Sequence, residues 1–178
     1  MSEIKTNSGI MIDPLRPRQE LIKIEDIAHS LSMLCRANGH FKSFYSVCQH
    51  SINCMQEARA RGYSRRVQLA CLLHDGSEAY LSDVTRPVKE ELPLYRKIEE
   101  PLQEMIWQKW LGSTLTKEEN RQVFAIDDAI LYHEFVALMD GTRLWEPAPK
   151  LCAQPVFAFT GFSESKQEFL RLFQELTE

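Results

Sequence analysis

The chain has 178 residues, with 21 basic and 25 acidic side chains and a net charge of −4. That length suits one domain of roughly 100–200 residues, and the mildly acidic balance disfavours sequence-independent binding to a nucleic-acid polymer or an anionic membrane. Only 7 residues are glycine and leucine outnumbers valine 20 to 7, a bias toward helix formers that argues against a β-sandwich or barrel. The expected fold is all-α: a single helical bundle of about six helices over residues 1–178. The five cysteines are odd in number and lack C-x-x-C spacing, which reads as free thiols in a reducing compartment. Met1 to Lys5 is polar with no signal-peptide core, and no apolar run approaches the roughly 20 residues of a membrane span. A cytoplasmic location without membrane association is expected.

Residues 1–22 carry Asp13-Pro14 and Arg16-Pro17, so an extended or turning lead-in is predicted. Ile24, Ile27, Ala28, Leu31 and Leu34 form one helical stripe that closes near Asn38-Gly39. A second helix is predicted from Ser43, with Phe44, Val47, Cys48, Ser51, Ile52 and Met55 inward and Gly62 as its stop. Ser64 caps a third, whose stripe Val67, Ala70, Cys71, His74 brings His74 to the buried side at the helix end. Residues 83–93 contain Pro87 and Pro93 and read as a loop or broken short helix. A helix over 94–111 follows, which Pro101 is expected to kink or restart. Thr116 with Glu119 matches a capping box opening a long helix from 117 to about 139. Residues 140–162 are proline-containing and irregular, and an amphipathic helix starts at Ser163 with Phe169, Leu172, Phe173 and Leu176 inward.

Three places along this plan put polar, metal-binding types where apolar residues are expected. His74 and Asp75 end a buried helix, His50 lies on a helix able to pack across it, and Asp127 sits among Val123, Ile126, Ile130 and Leu131. Buried imidazoles and carboxylates need partners, and this combination suits a borderline or hard divalent cation. An H-D dipeptide alone is weak evidence. Gathered from three helices, however, the four would form a site with positions left open for water, which a divalent ion can activate near neutral pH.

The order His50, His74-Asp75, Asp127 resembles that of the HD-domain metal-dependent phosphohydrolases. The run Leu73-His74-Asp75-Gly76-Ser77-Glu78-Ala79-Tyr80-Leu81-Ser82-Asp83-Val84-Thr85-Arg86-Pro87-Val88-Lys89 is similar to the Y-H-D-A-S-E-x-x-x-x-D-x-x-x-P-V-K stretch of the bacterial HD-domain 5′-deoxynucleotidases. Val123 to Asp127 likewise resembles their V-x-x-A-D segment. The resemblance covers roughly residues 24–139. It implies His50, His74, Asp75 and Asp127 as ligands of one divalent ion (Mn²⁺, Co²⁺ or Mg²⁺) and Glu78 as the acid/base carboxylate, one turn beyond His74 if the helix continues. It further implies Arg36 as the phosphate-orienting residue, Asp83, Val84, Thr85 and Arg86 as substrate-binding positions, and a homodimer. Two departures stand out. Ala37 follows Arg36 where the family has tryptophan, with Phe44 or Tyr45 as conceivable replacements, and Asp128 competes with Asp127 as last ligand.

The remaining candidates have plainer readings. His29 reads as a packed or surface residue, and His40 as a turn residue that could help hold phosphate. Glu134, seven residues after Asp127, shares its face and reads equally as a supporting acceptor or as a helix-stabilising partner of a basic neighbour. Cys48, Cys54 and Cys71 read as small core thiols rather than a zinc cluster with His50, and the arginines from 59 to 66 as a solvated basic helix end. The expected activity is removal of phosphate from a (deoxy)nucleoside 5′-monophosphate. The rivals are hydrolysis of nucleoside triphosphates or other phosphoesters, and a non-catalytic helical module that keeps the metal site.

Overall fold

The computed structural model describes residues 3–178; Met1 and Ser2, the start of the polar N-terminal stretch, lie outside the described residues. The lead-in is a small hairpin, β1 (Ile4–Lys5) paired antiparallel with β2 (Met11–Ile12). Gly9, at φ +85°, supplies the left-handed residue of its turn. The buried carboxylate of Asp26 accepts from both the backbone N–H and the hydroxyl of Ser8 at 2.7 Å, which docks the turn. Asp26 lies in α1 (Ile24–Met33), whose buried Ile27, Ala28 and Leu31 are the predicted stripe.

The predicted stop at Asn38-Gly39 and the start at Ser43 both move. Helix α1 ends at Leu34, and a 3₁₀ turn (Arg36–Gly39) follows in which Ala37, Asn38 and Gly39 all have positive φ. An alanine held there costs roughly 1 kcal/mol or more. The turn is braced by Arg36 N–H donating to the Tyr45 carbonyl at 2.9 Å and Val47 N–H to that of Leu34 at 3.1 Å. Helix α2 (Val47–Ala60) then starts at Ser46, because Ser46 and Gln49 form a capping box that Ser43 lacks.

Helix α3 (Arg65–Leu73) is capped by Ser64 as predicted. It ends at Leu73 with His74 as its C-cap, as the stripe ending at His74 predicts, and a turn through residues 74–77 leads into α4 (Glu78–Leu81). The cause sits in α6 (Pro93–Leu111), which follows the short α5 (Arg86–Glu90). The Gln103 amide of α6 donates to the Leu73 carbonyl at 2.8 Å and accepts from Ser77 N–H at 3.0 Å, replacing the bonds the helix loses. A Cβ at Gly76 would meet the Leu73 carbonyl oxygen at 3.0 Å and Ile106 Cδ1 at 3.2 Å, so glycine permits this approach. Pro101 does not restart α6. The carbonyl it leaves unpaired belongs to exposed Lys97, where solvent can satisfy it.

The Thr116 capping box opens α7 (Lys117–Leu138), and α8 (Phe162–Thr177) closes the fold one residue earlier than Ser163. The described residues thus form a mostly helical bundle in which six helices have nine residues or more. Helix α2 packs on α3, α1 on α8, and α7 against both α2 and α3. Among the described residues no helix is long and apolar enough to cross a membrane. All five cysteines are free.

The irregular segment between α7 and α8 is held by a polar row along α2. Gln49 Nε2 donates to the Ala158 carbonyl at 2.9 Å; Asn53 bonds both the N–H (3.1 Å) and the carbonyl (3.0 Å) of Val156. Glu57, fully buried, accepts from Cys152 N–H at 3.0 Å, Ala153 N–H at 2.7 Å and Arg61 Nε at 2.7 Å. Side chains spaced one turn apart therefore stand in for a strand partner. The arginines from 59 to 66 are less solvated than predicted. Arg61 pairs with Glu57, and Arg66 bonds Glu119 and the carbonyls of Leu111, Ser113 and Thr114 at the C-terminal end of α6, where a cation is favoured. Glu57→Ala should therefore lower unfolding stability by about 3 kcal/mol, read from urea denaturation.

Candidate metal centre

Four elements meet at one point. His50 projects from the middle of α2, His74 and Asp75 from the turn after α3, Asp127 from α7, and Arg36 from the turn before α2. Helix α2 brings His50 in with no exposed surface, because the same helix buries residues on nearly all sides. The 74–77 turn keeps helical backbone angles at His74 and Ser77 and is closed by i→i−3 bonds from Gly76 to Leu73 and from Glu78 to Asp75.

The hydrogen bonds determine which nitrogens face the centre. His50 Nδ1 lies 2.6 Å from Glu134 Oε1. Burial pushes the Glu134 carboxyl up, but Arg36 and His50 outweigh it and hold the pKa at about 2, so the carboxylate only accepts and Nδ1 carries the proton. His74 Nδ1 lies 2.7 Å from the Cys71 carbonyl, another obligate acceptor. Both rings therefore turn Nε2 inward; burial works against a charge on His50, yet its anionic neighbours Glu134 and Asp127 hold its pKa well above the ordinary value. The two Nε2 atoms are 3.1 Å apart. Asp127 Oδ1 lies 3.1 Å from His50 Nε2 and 3.9 Å from His74 Nε2; Asp75 Oδ2 lies 3.7 and 3.3 Å from the same atoms. Nitrogen and oxygen ligands about 2.1 Å from a cation sit roughly 3.0–3.4 Å from one another, so these separations are close to the edges of a coordination shell.

Four acceptors in mutual contact repel unless a cation or proton lies among them. Asp75 Oδ2 is buried with no hydrogen-bond partner, an orphan that a metal ion would satisfy. Asp127 is held well below the usual carboxylate range: burial opposes its charge, but the His50 hydrogen bond, the charges of His50 and His74, and Arg36 prevail. His50, His74 and the neighbouring Cys54 also form a metal-ligand group, with one donor atom from each all within 4.8 Å.

Arg36 borders the cluster. Its Nε donates to Glu134 Oε2 at 2.7 Å, while Nη1 and Nη2 lie 3.7 and 3.6 Å from Asp75 Oδ2 and Asp127 Oδ1. The latter separations are too long for hydrogen bonds, so the fork faces the centre with donors unused by these carboxylates. Glu134 thus clamps both His50 and Arg36. Of its two readings from the sequence, the supporting acceptor matches this geometry. Asp127, not Asp128, faces the cluster; Asp128 is half-exposed and accepts from Arg86 Nη1 at 2.8 Å.

The other predicted residues fall on the approach. Arg86, at the start of α5, reaches Asp127 Oδ2 with Nη2 at 3.3 Å. Glu78, at the start of α4, is buried, and Lys89 Nζ lies 3.5 Å from its Oε1 while Oε2 has no partner. Burial, reinforced by Asp75 and Asp83, pushes the Glu78 carboxyl well above its ordinary value. Burial also raises Asp83, with Arg36 opposing. Val84 and Thr85 are half-buried in the link between α4 and α5. That link begins at Ser82, held at φ +78° with its carbonyl accepting from Tyr95 Oη at 2.7 Å. His29 and His40 join no part of the cluster: His29 is half-buried, and His40 lies exposed after the turn. His133 donates or accepts at Pro149 only through its Nε2, 2.8 Å from that carbonyl, so it is the donor there. Neither proposed replacement for the family tryptophan is free: Tyr45 is buried with its hydroxyl accepting from Asn53 at 2.7 Å, and Phe44 packs edge-on against Phe159 and Phe162.

Cys54, read from the sequence as a core thiol, lies with Sγ 3.5 Å from His50 Nε2, whereas Cys48 Sγ turns away to the Ser165 carbonyl at 3.3 Å. The usable signal was the four-residue step from His50 to Cys54, which puts both on one face. Two surface clefts of about 240 and 150 Å³, one beside Arg66 and Trp110 and one beside Asn53 and Gln56, lie elsewhere; neither presents a histidine or a pair of carboxylates.

No family model matches the chain. It is similar to the uncharacterized protein YfdR of Escherichia coli, at 39% identity over 110 residues, 62% of this chain and 59% of that protein. It is also similar to the uncharacterized protein RCAP_rcc00048 of Rhodobacter capsulatus, at 44% identity over 87 residues, 46% of this chain and 44% of that protein. The matches thus span less than two thirds of either relative.

Glu134→Gln should lower divalent-cation affinity by about 10- to 100-fold, as the loss of a partner behind a ligating imidazole does, whereas Asp128→Asn should change it less than about twofold. Isothermal titration calorimetry with Mn²⁺ distinguishes the two.

Proposed function

We propose that the chain is a divalent-metal-dependent phosphohydrolase of the HD-domain type, removing phosphate from (deoxy)nucleoside 5′-monophosphates. The observation that carries this reading is the convergence of His50, His74, Asp75 and Asp127 beside the open guanidinium fork of Arg36. The seventeen-residue run from Leu73 to Lys89 supports the nucleotidase assignment by resemblance. The orphaned Asp75 Oδ2 and the two inward Nε2 atoms fit a divalent ion held by these four residues. When bound, such an ion polarises a phosphoryl oxygen and lowers the pKa of water.

The chain's own groups divide the remaining work. Arg36 offers two Nη donors to a phosphate, a geometry that a planar guanidinium matches in bidentate fashion. Glu134 holds it there through Nε, so orientation is established before substrate arrives. Arg86, now shared between Asp127 and Asp128, is half-exposed and can turn its fork to an incoming nucleotide. Burial, reinforced by Asp75 and Asp83, raises the Glu78 carboxyl well above its ordinary value, which suits it to donate a proton to the leaving ribose oxygen. Lys89 and Asp83 lie close enough to act on its charge, and the resemblance assigns the Asp83 to Arg86 segment to seating the nucleoside. Local charge governs this anion, so the net charge of −4 is no obstacle.

The test is inorganic phosphate release from a panel of nucleoside 5′-mono- and triphosphates with Mn²⁺, Co²⁺ or Mg²⁺. Turnover of monophosphates is expected; turnover confined to triphosphates favours the rival phosphohydrolase. Absence of turnover, with stability and metal binding unaffected by Asp75→Asn, would sink the enzymatic reading. In an active protein, Glu78→Gln should reduce kcat by about 10²- to 10⁴-fold while calorimetry shows metal affinity retained.

A further inference from the structure

Cys54 lies one helical turn beyond His50, 1% exposed, among Ala58, Val67, Ala70 and Cys71. It is more than a core filler. Its Sγ is 3.5 Å from His50 Nε2, the same atom that faces His74 and Asp127. One donor atom each from Cys54, His50 and His74 fall within 4.8 Å of one another. In a tetrahedral site, with metal–sulfur and metal–nitrogen bonds of about 2.3 and 2.1 Å, the S···N edge is roughly 3.6 Å. The observed separation therefore matches without movement of α2.

We propose that Cys54 ligates, with His50 and His74, a thiophilic divalent cation of the Zn²⁺ and Co²⁺ class, selecting it over Mg²⁺. This deepens the proposed function and rests on its assignment of the two histidines as metal ligands. The selectivity follows from donor softness: carboxylates and imidazoles serve Mg²⁺, Mn²⁺ and Zn²⁺ alike, whereas a sulfur donor rewards only the softer ions. In the metal-free protein Cys54 is a free thiol with its sulfur beside His50 Nε2. Binding replaces that S–H with an S–metal bond, and the proton leaves to solvent.

The experiment uses the full chain stripped with a chelator and titrated with Co²⁺. A sulfur-to-cobalt charge-transfer band in the near ultraviolet is expected, beside the visible d–d bands. It should disappear in Cys54→Ser, with Zn²⁺ affinity falling by at least about tenfold and Mn²⁺ affinity changing far less. X-ray absorption of the Zn²⁺-loaded native protein reads the same bond without any variant, as one sulfur near 2.3 Å. Visible cobalt bands without the sulfur band, a band that survives Cys54→Ser, or a zinc shell of nitrogen and oxygen alone would overturn the proposal. Failure to bind any divalent ion overturns it together with the metal centre. A sulfur band in a protein that releases no phosphate removes only the hydrolase reading.

Discussion

The arrangement depends on one buried carboxylate. Glu134 has no exposed surface, yet it remains ionised because His50 Nδ1 and Arg36 Nε both donate to it, at 2.6 and 2.7 Å. Burying a charge is expensive unless it is paired and hydrogen-bonded, and here both partners are themselves groups that the centre needs. The imidazole is held in the tautomer that sends Nε2 inward, and the guanidinium is anchored by the one nitrogen that leaves its fork open. A single side chain thereby sets the orientation of a ligand candidate and of an anion-binding group contributed from different elements.

Helix α2 is the element around which this centre and the rest of the bundle are organised. It carries two adjacent polar rows among its buried residues. Gln49, Asn53 and Glu57 satisfy the backbone of the irregular 152–160 segment, and His50 with Cys54 face the centre. A helix this thoroughly buried and this polar is stable only because nearly every hydrogen-bonding group has a partner. The break after α3 follows the same logic. Gln103 bonds the Leu73 carbonyl and Ser77 N–H, so the backbone on either side of His74 and Asp75 is satisfied where α3 stops. Strained backbone at Ala37, Asn38 and Ser82 lies beside Arg36 and Asp83. Three of the four non-glycine residues with positive φ among those described thus lie next to residues that the proposed chemistry uses, the fourth being Asp140.

The electrostatics sort the carboxylates into two groups. Asp127 and Glu134 are kept ionised by histidine and arginine, whereas Glu78 and Asp83 are pushed toward the protonated form by burial. Environments that separate like groups in this way are the usual means of obtaining a metal-binding anion and a proton donor within one small volume. The scarcity of glycine fits the same picture, since the centre is built from helix faces and turns and contains no glycine-rich phosphate loop.

By itself the sequence determined the features that have a local cause. Apolar stripes at helical spacing marked the long helices, and Ser64 and Thr116 marked their starts, since a cap acts within a few residues of itself. The ordered histidine and aspartate positions, and Glu134 on the face of Asp127, were legible because helix periodicity sets which residues share a side. Tertiary structure decided what depends on distant elements meeting. The hydrogen bonds from Glu134 to His50 and to Arg36 span 84 and 98 residues of chain, and no periodicity encodes them. The end of α3 near His74 was legible from its apolar stripe, but the Gln103 side chain that bonds the Leu73 carbonyl, 30 residues on, was not. Asp127 rather than Asp128 lies against His50 because adjacent helix residues differ by about 100°, and only the packing of α7 against α2 and α3 turns one of the pair inward.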